Sequence, residues 1–341
     1  MMKYIQPTNP DKAVGLVEDV YTQIKRDFGR IVEPFMLHSP VPTLLAGTWM
    51  ACRETELVGK VSRTLKEVVA ATVSILNQCP FCVDAHTVML NSTGDHGIAA
   101  AMGKTHYEKI PDSKIRAVVD WAMATRSPRN EILRSPPFSS EEAPEIIGAA
   151  VFLHYMNRMA TIFLSDTPLP LSIPWLKDPL KRVAGLMFHR SANRLKTPGE
   201  SLEFLPQADL PEDMGWAKNN PTVAQAFARF ARTIQDLGET VLSQEARELI
   251  FGVVDIWNGE EMQTRNKLEA EIMQFEGAQR SAVQLSLLAA LAPHQIVEED
   301  ILGFRKHFPY VTSLLGTTSW GSFTAARKIG TWIQPSFPRH S

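Results

Sequence analysis

Apolar positions recur at helical spacing along most of this chain. Residues 13–28 place Val17, Val20, Ile24 and Phe28 on one side, and Gly29 follows as a stop. After a proline-rich turn at 38–42, residues 43–55 read as a helix with Leu44, Leu45, Trp49 and Cys52 apolar. Residues 64–76 carry Leu65, Val68, Val69, Thr72, Val73 and Leu76 at the same spacing. A short helix at 98–102 and a longer one at 112–125 come next. The Pro- and Ser-rich stretch 127–140 predicts a loop. Ser139 or Ser140 reads as the cap of a helix that runs to Leu164, with Glu142, three residues after Ser139, as a capping-box partner. That helix carries His154, Asn157 and Arg158.

Residues 165–215 are the least regular, with prolines at 168, 170, 174, 179, 198, 206 and 211 around one helix at 180–195. Lys181, Arg182, His189, Arg190, Arg194 and Lys196 make this helix basic. The simplest reading is a solvated face, and the alternative is a docking face. Beyond it, helices are predicted near 278–292, 298–307 and 319–333.

The second half repeats the first at a constant offset of 181, pairing Pro40 with Pro221, Ser62 with Ser243, Glu67 with Glu248, Val73 with Val254 and Asn77 with Asn258. The match stops where chemistry begins: Cys79, Cys82 and His86 fall opposite Glu260, Gln263 and Lys267. The expected organisation is all-α with two repeated halves. Residues 1–164 hold the cysteines, 165–215 form a linker, and 216–341 are a degenerate copy without thiols.

The chemistry concentrates in 64–92, where Cys79 and Cys82 form C-P-F-C. Asn77-Gln78 interrupts the helix before it. Pro80 cannot continue a helix but suits the first turn of a new one, so Cys79 becomes the N-cap and Cys82 falls in the first turn. Free N–H groups and the dipole at a helix start favour an anion. A C-x-x-C there is expected to have a lowered thiol pKa and to close into a disulfide. His86 lies four residues after Cys82 on the same face and can move a proton near neutral pH. If the two helices run antiparallel, His86 is ~10 Å down the second from Cys79, and Glu67 is ~18 Å down the first, at 1.5 Å per residue. A long side chain plus one water could bridge that offset.

Glu67, Cys79, Cys82 and His86 spell E-x11-C-x2-C-x3-H, which resembles the carboxymuconolactone decarboxylase/alkylhydroperoxidase D family. The resemblance implies an all-helical, oligomeric protein. It also implies that Cys82 attacks a peroxide, Cys79 resolves it as a disulfide, and His86 and Glu67 relay protons. The family's Asn-Arg pair, matched by Asn157 and Arg158, closes its helix against the core. One position departs from the pattern: the alkylhydroperoxidase prototype has a histidine just before the second cysteine, where this chain has Phe81. The decarboxylase branch lacks the cysteine pair.

Composition narrows the remaining choices. The 341 residues carry a formal charge of −2, which gives no electrostatic case for nucleic acid or acidic lipid. Three cysteines, two of them together as C-x-x-C, are no disulfide framework and point to a reducing, cytoplasmic setting. Cys52 reads as an inert core residue. The N-terminus lacks the apolar segment of a signal peptide, and the longest apolar run, at 282–292, is too short for a bilayer. No phosphate loop or dinucleotide fingerprint occurs, so no cofactor is expected. A structural zinc would need a second ligand pair beside Cys79, Cys82 and His86. The expected function is a thiol-dependent peroxidase reduced by a lipoyl or thioredoxin-like dithiol. The alternatives are a disulfide oxidoreductase indifferent to peroxide and a non-enzymatic redox sensor.

Overall fold

The computed structural model describes residues 2–168, 174–192, 194–260 and 265–334. These are helical, with no strand among them. In chain order the α-helices are α1 (Leu16–Phe28), α2 (Glu33–Met36), α3 (Pro42–Cys52), α4 (Arg63–Leu76), α5 (Pro80–Ser92), α6 (His96–Gly103), α7 (Ser113–Ala124) and α8 (Ala143–Phe163). They continue with α9 (Pro174–Ala192), α10 (Pro221–Glu239), α11 (Gln244–Ile256), α12 (Asn266–Ile272), α13 (Gly277–Leu291), α14 (Glu298–Arg305) and α15 (Val311–Trp332).

The core is built around α8, which is mostly apolar around its circumference apart from Glu145, His154, Asn157 and Arg158. By length and composition it could cross a membrane, which the sequence reading did not find in this segment. Instead, 94% of its most apolar window is buried within the fold, covered by neighbouring helices. Tyr155 marks the centre: its ring meets Phe230 of α10 at 5.1 Å and Phe323 of α15 at 5.9 Å, both edge-on. Helices from both ends of the sequence therefore share one core.

Local signals explain most boundaries. Ser62 caps α4 by accepting from Leu65 N–H at 3.3 Å, and Ser243 caps α11 from Ala246 N–H at 3.2 Å. Asp112 caps α7, and Asn220 followed by Pro221 opens α10. Ser139 and Glu142 exchange the two reciprocal bonds of a capping box at the entry to α8. α15 starts well before its expected position at 319. Residues 311–318 are rich in Thr, Ser and Gly and propose a helix weakly, but burial of Leu314, Leu315, Thr317 and Thr318 overrides propensity.

Two features shape the site from a distance. The end of α3 widens into a π-helical turn, Arg53–Leu57, with Val58 N–H reaching Arg53 O at 3.2 Å. Arg53, fully buried, anchors this turn through Asp27 (2.7 Å), Glu54 (2.7 Å) and Glu200 (2.9 Å). The basic helix α9 packs against α1 and α5. Lys181 is buried against Asp84 at 2.7 Å, so one of its charges belongs to the packed side, not to a solvated face.

Candidate functional site

The turn between α4 and α5 sets the geometry. Asn77 closes α4, Gln78 takes a left-handed conformation (φ 52°), and Cys79 N–H returns to Ser74 O at 3.0 Å. Cys79 is the N-cap of α5 and Pro80 its first residue, as the sequence predicts. The chain thus folds back as an antiparallel pair, and the Cys79 and Cys82 sulfurs lie 2.6 Å apart as free thiols. A disulfide bond is ~2.05 Å, so closing it needs only a small shift.

Glu67 and His86 meet directly, without an intervening water: Glu67 Oε2 lies 2.8 Å from His86 Nδ1. Arg63, one turn earlier on α4, holds the other oxygen at 2.5 Å. Glu67 is 1% exposed, and burial alone would push its carboxyl up. Arg63 and His86 outweigh that and hold it below the ordinary range. Burial likewise opposes charge on His86, but Glu67, with help from Glu56, raises its pKa.

The two thiols differ, and not as the helix-start argument expects. The Cys79 thiol is lowered because the Cys82 thiol donates to it, against the penalty of burial, and the Cys82 backbone N–H adds to the effect. Burial pushes Cys82 well above its usual value, and the proton shared with Cys79 raises it further. The contact between the two thiols and the burial of Cys82 set the difference. The two thiols titrate as one coupled pair, with Cys79 shifted to the more acidic side and Cys82 to the less acidic.

Access runs the other way. A cavity of about 170 Å³ is lined by Cys82, His86 and Cys52 but not by Cys79. Its apolar wall includes Phe28, Phe35, Phe81, Phe152, Met156 and Phe188. Phe81, where the family prototype has histidine, is buried and contributes surface, not a proton. The exposed Arg30 also lies on the lining. Cys52 is buried and its thiol is pushed well up by that burial, which suits an inert role.

Sequence reasoning missed Glu56. It comes from the π turn, is 3% exposed, and lines the cavity with Cys82 and His86. Its carboxylate, that of Glu67 and a ring nitrogen of His86 lie within 4.8 Å of one another. Glu67 Oε2 is bonded to His86 and Oε1 is ion-paired with Arg63, though without a hydrogen bond; Glu56 Oε1 likewise has no hydrogen-bond partner. Burial, with the charge of Glu67, raises the Glu56 carboxyl to about 7, against the pull of His86, Arg63 and Lys66.

Behind the thiols, α8 supplies a polar brace. Asn77 contacts His154 at 3.0 Å and Asn157 at 2.9 Å, and Asn157 reaches Ser74 at 3.1 Å. Arg158 donates to Ala290 O at 2.8 Å and His154 O at 2.6 Å. In the second half, Glu248 is exposed and accepts from Gln244 at 2.8 Å, while Glu260 accepts from Trp257 through its backbone. Gln263 lies outside the described residues, as does the side chain of Lys267.

Comparison with known proteins agrees with this geometry. Residues 43–95, from the start of α3 through α5, match the carboxymuconolactone decarboxylase family. Over 335 residues, the chain is 35% identical to the alkyl hydroperoxide reductase Rv2159c of Mycobacterium tuberculosis, covering 97% of this chain and 95% of that protein. The match spans nearly the whole chain as well as the cysteine stretch, so this chain belongs to the carboxymuconolactone decarboxylase/alkylhydroperoxidase D-like family.

Proposed function

We propose that the protein is a thiol-dependent hydroperoxidase in which Cys82 attacks the peroxide and Cys79 resolves it. The observation that carries this reading is the pair of sulfurs at 2.6 Å with only Cys82 on the cavity wall. The similarity to an alkyl hydroperoxide reductase supports it.

The cycle follows from the proton arrangement. Cys82 passes its proton to the Cys79 thiolate, a transfer between touching atoms, and becomes the nucleophile at the cavity. It attacks the outer oxygen of ROOH, the O–O bond breaks, and ROH leaves once a proton is supplied; Cys82 is then a sulfenic acid. Cys79 attacks that sulfur, water departs, and a Cys79–Cys82 disulfide remains. A lipoyl or thioredoxin-like dithiol reduces the disulfide by exchange. Glu67 and His86 hold and return protons beside the cavity. The apolar lining favours an organic hydroperoxide over hydrogen peroxide.

The reading extends to the whole chain: a cytoplasmic homo-oligomer whose residues 1–164 carry the site, with 165–215 between them and a thiol-free copy at 216–341. The equivalent serine caps of α4 and α11, 181 residues apart, and the packing of α3 on α10 support the two-half organisation. Steady-state consumption of cumene hydroperoxide with dihydrolipoamide as donor tests the function. Wild type is expected to turn over many times and Cys82→Ser not at all. Disulfide reduction without peroxide loss would instead favour the peroxide-indifferent oxidoreductase.

A further inference from the structure

We propose that Glu56 is the general acid of the reaction, delivering the proton that the departing alkoxide needs when the O–O bond breaks. This rests on the peroxidase reading and adds a catalytic group that the E-x11-C-x2-C-x3-H pattern does not contain.

The need is chemical. Attack by a thiolate on ROOH forms an S–O bond and expels RO⁻, a strong base and a poor leaving group. The balanced step is Cys82–S⁻ + ROOH + H⁺ → Cys82–SOH + ROH, and the proton must come from a group on the cavity wall. Glu67 is a weak candidate, since it is held as a carboxylate between Arg63 and His86. His86, paired with Glu67 through Nδ1, is assigned the later step of restoring the spent proton. Cys79 has received the Cys82 proton and lies off the cavity wall.

Glu56 meets the requirements by position. It lines the same cavity as Cys82, is more than nine-tenths buried, and leaves Oε1 without a hydrogen-bond partner. A buried carboxyl oxygen left unpartnered is costly unless it carries a proton or meets a ligand. Its backbone is held independently of its carboxyl: Arg63 Nη1 donates to Glu56 O at 2.9 Å, and Arg53 fixes the turn through three carboxylates. π turns often present residues at functional sites in this manner. Burial keeps the carboxyl protonated up to about neutral pH, so the proton is available when ROOH arrives. After transfer, the Glu56 carboxylate sits within 4.8 Å of the Glu67–His86 pair, from which His86 can reprotonate it.

The test exploits leaving-group basicity. Reduced wild-type and Glu56→Gln proteins are oxidised in single turnovers by tert-butyl hydroperoxide, whose alkoxide needs a proton, and by peracetic acid, whose carboxylate does not. Glu56→Gln keeps the shape and removes the acid. The expected result is a loss of ~10²-fold or more with tert-butyl hydroperoxide, within the range of general acid catalysis, and less than about 3-fold with peracetic acid. Equal losses with both oxidants would assign Glu56 to thiol activation or to structure and overturn the proposal, as would no loss with either. A wild-type protein inert to both would overturn the peroxidase reading itself, an outcome distinct from a defect confined to the variant.

Discussion

Glu67 Oε2 and His86 Nδ1 lie 2.8 Å apart, joining α4 to α5 in a buried pair beside the reactive thiols. Each partner holds the other in its charged form. The stabilisation from Glu67 is present above the ordinary carboxylate pKa and is lost as pH falls through its lowered folded value. That from His86 is present below the ordinary imidazole pKa and is lost as pH rises through its raised folded value. Replacing Glu67 by Gln removes the charge that raises His86. The expected outcome is a downward shift of the His86 titration, read by NMR, and a loss of peroxidase rate of about 10²-fold.

His38 is buried and neutral. Its Nδ1 donates to Pro34 O at 2.8 Å, so Nε2 must accept from the Tyr155 hydroxyl at 2.8 Å. Burial lowers its pKa to about 3, against the raising effect of Pro34. The unfolded chain therefore binds the extra proton first, and stability falls as pH drops from the ordinary histidine value towards 3. His38 alone contributes a slope of about 1.4 kcal/mol per pH unit in that window. His154, buried and shifted the same way, adds to it. Urea midpoints measured from pH 7 to pH 5 should decline, and His38→Asn should make the decline shallower.

Lys66 and Glu145 form an ion pair at 2.5 Å in which both side chains are nearly inaccessible. Glu145 also accepts from Lys60 N–H (2.9 Å) and Val61 N–H (3.1 Å). Gly59, at φ 107°, allows this approach, since a Cβ there would fall 2.3 Å from the Glu145 carboxyl. Lys66→Met strands a buried carboxylate and should cost about 3–5 kcal/mol in urea unfolding. Lys66→Met combined with Glu145→Leu should recover part of that loss. A single variant as stable as wild type would show that the pair contributes little.

Much of the site is legible in the sequence because it is local. Pro80 fixes where α5 begins, and that choice places Cys79 and Cys82 together and His86 on their side. Glu67 is reachable by helix arithmetic, though its direct contact with His86 depends on how closely α4 and α5 pack. The acidity of the two sulfurs is not legible, because it turns on the contact between the two thiols and on how they are buried. Glu56 is also hidden. Thirty residues from His86, it enters the site through a π turn that no apolar period announces. The one signal is that RETEL is charge-dense yet follows an apolar helix with no turn residue between them. The role of α9 was obscured by its prolines and basic residues, although Phe188 on its inner side helps wall the cavity.

The most direct measurement is to count thiols and map disulfides by mass spectrometry after one equivalent of organic hydroperoxide. Fully reduced wild type has three thiols. It should lose two, keep Cys52, and yield a Cys79–Cys82 disulfide with one ROH released, while Cys79→Ser should stop at a trappable sulfenic acid on Cys82. Three intact thiols after peroxide exposure, or oxidation at Cys52 with the pair untouched, would contradict the account.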